Sequence, residues 1–288
     1  MNPSSQTRTM LVVLAHPDDE SFGMGGTIAL YTQRGVHVHY LCATGGEAGS
    51  YDPEMLDGYA SIAERRKAEL ECAAEKLGLA GLHMLGYRDS GMPDTPDNDH
   101  PDALINAPRE IVAKKIAGYI RMIRPDVVVT HDPIGGYKHP DHIAVHHAAV
   151  LAFDMAGDGA VTVADDLLPH KPAKLYYTTF PKLFLRIAVL ISRLFFRNPR
   201  KFGRNKDIDL VSLVEDGNFP IHARINYRSV VHIRDEASAC HASQLPSGPP
   251  NRGLLSMILR LIGGTDTYMR VIPPPEKGLR EKDLFAGL

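Results

Sequence analysis

The sequence predicts an α/β protein, a Rossmann-like, mostly parallel sheet with helices on both faces, followed by a less regular C-terminal part. Three observations predict it. Short apolar runs alternate with longer helical stretches through the first 180 residues. Two of those runs end in dense clusters of histidine and aspartate, where an open parallel sheet gathers its ligands beyond the carboxyl ends of its strands. Glycines stop the helical stretches at Gly35 and Gly78, as helix C-termini require.

In chain order, Leu11 to Ala15 reads as a strand, followed by a polar loop, the glycine cluster Gly23 to Gly26 and a helix from Thr27 to Arg34. Val36 to Cys42 is the second strand, and Ala43 to Tyr59 its loop. An amphipathic helix runs from Ser61 to Leu77, and Leu82 to Leu85 is the third strand. Past the Pro/Asp-rich loop Gly91 to Pro101, a helix spans about Pro108 to Ile123, with Ile111, Val112, Ile116, Ile120 and Ile123 on its apolar stripe. Asp126 to Thr130 is the fourth strand. A His-rich helix from about Asp141 to Ala156 and a strand from Lys174 to Thr178 follow. Beyond Thr179 the pattern loosens: an apolar stretch from Leu183 to Phe196, a basic piece from Arg197 to Lys206, strand-like runs at Ile208 to Val214 and Ile221 to Ile225, a helix ending near Ser243, and a short apolar helix from Leu254 to Ile262. The whole reads as one domain over 1–288, with a helical insertion or cap at about 180–206 and a C-terminal elaboration at about 245–288.

Composition narrows the function. A chain of 288 residues with 44% hydrophobic residues can build its own core. Its net charge of −2 offers no overall basic field for nucleic acid. Cys42, Cys72 and Cys240 are odd in number and in no metal-ligand spacing, so they read as structural thiols of a reducing compartment. The polar stretch Met1 to Met10 reads as neither signal peptide nor membrane span, which suggests a cytoplasmic protein. The glycines Gly23, Gly25 and Gly26 lack the third glycine of a dinucleotide loop at its required offset, and Asp18, Asp19 and Glu20 would repel a pyrophosphate. No G-x-S-x-G elbow is present for a serine hydrolase.

The chemistry lies in two loops. His16-Pro17-Asp18-Asp19-Glu20 follows the first strand, and His16 with Asp19 places a nitrogen and an oxygen donor three residues apart, as a divalent metal site requires. The second loop, His131 to His142, follows the fourth strand, so both can converge on one ion. Taken singly, each cluster also reads as helix-capping carboxylates and surface histidines. His142 and His146, four apart on a helix, are both candidates for the remaining ligand.

The motifs Ala15-His-Pro-Asp-Asp-Glu20 and Gly136-Tyr-Lys-His-Pro-Asp-His142 resemble those of the LmbE/PIG-L family of zinc-dependent N-deacetylases; the likeness covers most of the first 180 residues and recurs near Cys240 to Gln244. The resemblance implies His16, Asp19 and His142 as metal ligands, with His146 packing behind. It implies zinc, with iron(II) an alternative that an N₂O donor set accommodates. A metal with three protein ligands keeps a position for water, and Asp18 fits the general base that takes its proton, the role the family gives the matching residue. His139 and Tyr137 can supply donors to the oxyanion, with Asp141 orienting the His139 ring. Lys138 stands where relatives more often carry glycine. Arg66 interrupts the apolar stripe of Ile62, Leu70, Ala73 and Leu77, and either pairs with Glu69 or, as the resemblance implies, holds substrate hydroxyls. Asp89 and Glu47 match further substrate contacts of the family, and read alternatively as a turn aspartate and a loop carboxylate. The expected reaction removes an N-acyl group, most simply N-acetyl, from a small-molecule amino sugar or glycoside. Its alternatives are an amidase on a nonsugar or thiol-conjugate amide and a noncatalytic metal- or sugar-binding module. For the apolar stretch at 183–196 the expected cover is the run at 254–262, as a cap or a contact between subunits of a homo-oligomer, with no need of a membrane.

Overall fold

The computed structural model describes residues 7–56, 58–163, 167–195, 198–202, 206, 208–245 and 264–288. The elements in order are β1 (Thr9–Leu14), α1 (Asp19–Thr32), β2 (His37–Thr44), α2 (Ile62–Leu77), β3 (Gly81–Tyr87), α3 (Arg109–Ile123), β4 (Val127–Thr130), the short α4 (Gly135–Lys138), α5 (Pro140–Gly157), β5 (Lys174–Thr179), α6 (Lys182–Leu194), α7 (Leu210–Asp216), β6 (Ala223–Asn226), α8 (Val231–Cys240) and β7 (Thr265–Ile272). They build one seven-stranded sheet in the order β3-β2-β1-β4-β5-β7-β6. The first five strands are parallel, and β7 joins β5 and β6 antiparallel.

Alternation along β1 divides the core. Met10, Val12 and Leu14 face a layer that includes Met24 and Ile28 of α1, Leu70 of α2 and Ala237 of α8. Leu11 and Val13 face Ile116 of α3 and Val145 and Phe153 of α5. Every residue of β4 is buried, as a strand covered on both faces must be. Because β1 pairs with β2 on one side and β4 on the other, the strand order reverses there, and a crevice opens beyond the carboxyl ends of β1 and β4. His16 and His131 begin the two loops that line it.

Several sequence expectations need correction. The first helix starts at Asp19, not Thr27, and contains the glycine cluster. Gly26 serves packing: a Cβ there would lie 2.2 Å from the Tyr227 ring. Ile111 points outward and is exposed, while Val112, Ile116 and Ile120 are buried. The run at Ile208 to Val214 is mostly helix, because the Asp209 carboxylate accepts from the Val211 and Ser212 N–H groups and caps α7. β7 was not foreseen. Cys72 and Cys240 are not free thiols; they form a disulfide joining α2 to the end of α8, which removes the cysteine argument for a reducing compartment. Cys42 is free and buried. The expected helix at 254–262 lies outside the described residues, as does Phe196. Among the described residues, no helix is long and apolar enough to cross a membrane.

Candidate metal centre and active site

The His16 loop leaves β1 through a sharp turn. Asp18 takes φ 132°, a conformation rare for a residue with a side chain, and its N–H donates to Glu20 Oε2 at 3.0 Å. Glu20 is itself fully buried, and its Oε1 lies 2.7 Å from His241 Nε2. The second loop is set by Asp132, whose Oδ1 accepts from the N–H groups of Ile134 and Gly136 at 3.0 Å each. Gly135 needs its missing side chain here: at φ +67° a Cβ would lie 2.9 Å from that of His142.

Three donor atoms converge in the crevice. His16 Nδ1 lies 3.1 Å from His142 Nε2 and 3.6 Å from Asp19 Oδ2, and His142 Nε2 lies 3.3 Å from the same oxygen. Donors bound at about 2.0–2.1 Å around a tetrahedral ion would stand roughly 3.3–3.4 Å apart, so the triangle has the right size. The other ring nitrogen of His16, Nε2, is 3.2 Å from Asp141 Oδ2, which fixes Nδ1 as the nitrogen facing the triangle. His146 stands apart from these atoms. Its Nδ1 lies 2.9 Å from the His131 carbonyl oxygen, and its ring packs edge-on against Tyr177.

The charged groups of the cluster shift one another. Burial pulls His16 toward its neutral form, yet Asp89, Asp141 and Asp19 outweigh it and hold the ring's pKa well above the usual histidine value. Asp19 is held well below the carboxylate range, burial being overcome by His142, His131 and His16. Burial carries His142 down to about 4, so its ring is neutral and its Nε2 can serve as a ligand.

Around the triangle is a cavity of about 330 Å³ lined by His16, Asp18, Arg66, Asp89, Tyr137 and His139, among others. Arg66, buried to 3% exposure, does not pair with Glu69; Arg65 does, at 2.9 Å. Arg66 donates instead to the carbonyls of Pro17 and Gly46 and, at 3.1 Å, to Asp18 Oδ2. Burial raises Asp18 to about 6, with Arg66 opposing the rise and Asp19 adding to it. Asp89 holds its loop through Gly91 N–H and stands 3.5 Å from His16 Nε2, and its own N–H donates to Glu47 Oε2 at 2.8 Å. Glu47 thus reaches the site through Asp89, facing an adjoining cavity.

Asp141 needs a correction. Its carboxylate does not orient the His139 ring; it lies against His16 and accepts from the N–H and hydroxyl of Ser90. The Asp141 backbone N–H donates to His139 Nδ1 at 3.2 Å, which leaves the His139 proton on Nε2. Burial, followed by the nearby His16 and His142, drives His139 down to about 2, so the ring is a neutral donor. Tyr137 stacks edge-on to His139 and His142, and burial raises its hydroxyl pKa. Lys138 reaches away to Ser212 and, at 2.6 Å, Asp216 of α7, tying down the loop that carries Tyr137.

Residues that sequence reasoning left unassigned also build the site. His131 stacks on His142 at 3.9 Å and accepts from Ala15 N–H, a place its position after β4 signals. Ser90 carries no local signal, whereas His241 and Ser243 fall in the Cys240 to Gln244 run whose likeness to the family was noted without a role for either.

A mostly parallel α/β sheet with two histidines and an aspartate converging at its switch point, ringed by further carboxylates, defines a protein with a buried His/Asp group that could bind a metal ion. The sequence matches the family model described as GlcNAc-PI de-N-acetylase (PIG-L) over residues 11–153. It is 36% identical over 301 residues to a 1D-myo-inositol 2-acetamido-2-deoxy-alpha-D-glucopyranoside deacetylase of Geodermatophilus obscurus, covering 100% of this chain and 99% of that one. It is 33% identical over 305 residues to one of Catenulispora acidiphila, covering 99% and 98%. The chain belongs to the PIG-L family. Among solved structures it is similar to an N,N'-diacetylchitobiose deacetylase of Pyrococcus horikoshii, with TM-score 0.64 and 21% identity over 94% of this chain and 86% of that one. It also resembles a 4-carboxy-2-hydroxymuconate hydratase of Pseudomonas putida, with TM-score 0.57 and 18% identity over 95% and 100%. A deacetylase and a hydratase on one fold leave the chemistry to be argued from side chains.

Proposed function

We propose that this chain is a single-domain, metal-dependent N-deacetylase that releases acetate from a 2-acetamido-2-deoxyglucopyranosyl substrate, with an inositol glycoside the first to test. The observation that carries the reading is the triangle of His16 Nδ1, Asp19 Oδ2 and His142 Nε2, of which His16 lines the same cavity as Asp18 and His139. Pure metal binding has no use for the last two.

His16, Asp19 and His142 hold the ion, zinc or iron(II) by the donor set. When bound, such an ion supplies Lewis acidity, which makes water a nucleophile near neutral pH. Asp18, aimed by Arg66, takes a proton from the attacking water. As the amide carbon becomes tetrahedral, its oxygen gains negative charge, and the His139 Nε2–H and the Tyr137 hydroxyl are the neutral donors placed to meet it. The C–N bond then breaks, the proton taken from water passes to the amine, and acetate leaves. Asp141 and Ser90 act through His16 by holding its ring, while Arg66, Asp89 and Glu47 face the sugar or position the groups that do.

The test is acetate release from N-acetylglucosaminyl-inositol, N-acetylglucosamine and diacetylchitobiose, using protein loaded with zinc or, anaerobically, with iron(II). Acetate from at least one glycoside, abolished by a chelator and restored by metal, supports the reading. Stoichiometric metal without acetate from any of them would favour a binding module or an amidase on other amides.

A further inference from the structure

Helix α6 divides sharply into an inner and an outer face. Its inner face is anchored: Leu185 packs with Leu210 and Leu213 of α7 in a small cluster that Ile134, Tyr137 and Ile208 also touch. Directly opposite, Leu183, Ile187, Leu190 and Leu194 follow one another at spacings of four, three and four, a single stripe along the helix. Leu183, Leu190 and Leu194 are 69%, 65% and 71% exposed, and Phe195, just past the helix, is 62% exposed. Singly exposed leucines are ordinary, but three on one stripe of a 13-residue helix are not. Lys182, Arg186 and Arg193 form a second stripe along the edge of the first.

The charge around this stripe is one-sided. Residues 180 to 206 carry eight Lys and Arg and no Asp or Glu, although the whole chain carries −2. The rest of the molecule is therefore at −10, and Arg200 is paired with Asp209 just beyond the run. Such a chain turns its basic segment toward an anionic surface and its body away from it. A helix this short cannot span a bilayer, but apolar residues on one stripe with cations along its edge suit the interface of one. A second copy set face to face would bring two basic segments together, which opposes that pairing.

We propose that the outer face of α6 is a docking surface for an anionic lipid bilayer. This reverses the expectation that the apolar stretch needs no membrane. It is independent of the reaction proposed above. The anchored face of α6 touches the loop of Tyr137, and a Cβ at Gly136 would meet the Phe180 ring at 3.5 Å, so α6 links the docking face to the loop that carries Tyr137.

Flotation of the full-length protein tests this, with vesicles of phosphatidylcholine alone and of phosphatidylcholine mixed with phosphatidylglycerol. The protein should float with the mixed vesicles, and about 1 M salt, where the Debye length falls to roughly 3 Å, should release it. Leu190→Glu/Leu194→Glu should bind about tenfold or more weakly while unfolding at the wild-type temperature, since both leucines face solvent. Arg186→Gln/Arg193→Gln leaves the apolar stripe intact and should weaken binding by about thirtyfold, each of the two cations near the surface being worth about 1 kcal/mol. Equal flotation with neutral and anionic vesicles would overturn the proposal. So would a concentration-dependent dimer, broken by the leucine pair and formed without vesicle binding, because it would assign the face to a second copy.

Discussion

The two halves of the sheet serve the site in different ways. The parallel half places the candidate donors: His16, Asp19 and His142 come from the segments that follow β1 and β4, which adjacent strands bring together whatever the rest of the chain does. The C-terminal half places props. His241 reaches Glu20 across 221 residues of sequence, Ser243 reaches Glu69 across 174, and the Cys72–Cys240 disulfide fastens α8 to α2 nearby. Donors follow from strand order, whereas props depend on where a distant segment returns. Losing a donor should therefore abolish chemistry, and losing a prop should cost stability first.

The largest effect tests the donors. His16→Ala or His142→Ala should remove the metal and lower kcat/KM by at least about a thousandfold, as expected when an ion that generates the nucleophile is lost. His146→Ala should keep both within a few fold, because its ring faces Tyr177 and the His131 carbonyl. Metal content by atomic emission decides it, and equal metal loss in the His146 variant would mean that the helical histidine pair binds the ion.

The next effect separates base from ligand. Asp18→Asn should retain metal and lower kcat by about a hundredfold or more. With Asp18 raised to about 6, kcat/KM in the wild type should fall as pH drops below that value, because the base becomes protonated. Arg66→Met removes the charge that opposes the rise, so the acidic limb should move to higher pH. A limb that stays in place in that variant would show that another group sets it.

These candidate donors were marked in the sequence because His16 and Asp19 stand just past the end of β1, and His142 ends the polar run that follows β4 and opens α5. The roles of Asp141 and Arg66 were only half legible. Both were marked as site residues, but the partners that fix their action, Ser90 and His16 for one and Pro17, Asp18 and Gly46 for the other, come from separate loops. The α7 helix was misread because Ile208, Val211 and Val214 favour strands, while a single capping carboxylate on Asp209 decides for helix. β7 and the disulfide were invisible for a different reason. The disulfide joins residues 168 apart, and β7 pairs with a β5 that also lies far back in the chain, so neither partner stands in the same local window.

A prop of the C-terminal half gives the third prediction. Opening the disulfide frees a loop of 168 residues and should cost about 2–4 kcal/mol of stability. Thermal unfolding of the wild type should shift down in reductant, and Cys72→Ser should unfold at the lower temperature with or without it. Activity at 25 °C should change by less than about fivefold, since the hydrogen bonds from Ser243 to Glu69 remain. A wild-type transition unmoved by reductant would remove the disulfide from the list of props.

The smallest effect lies at the seam between the halves, where Asp266 of β7 accepts from the Thr27 N–H at 2.8 Å and its hydroxyl at 2.7 Å. Burial raises Asp266 to about 6, against the favourable pull of Thr27 and Arg234. An aspartate raised in the folded state binds more protons there than in the unfolded chain between about pH 4 and pH 6. Stability from this group is therefore fully present in acid and is lost as pH rises through that window. The full shift would correspond to about 3 kcal/mol, and the partial exposure of the side chain reduces it to about 1–2 kcal/mol. Asp266→Asn keeps an oxygen for Thr27 and cannot ionise. The difference in urea unfolding free energy, wild type minus variant, should decline by that amount from pH 4 to pH 6.5 and stay level above it. A difference independent of pH would mean that Asp266 is ionised throughout and that the seam is held by the two Thr27 hydrogen bonds to a charged carboxylate.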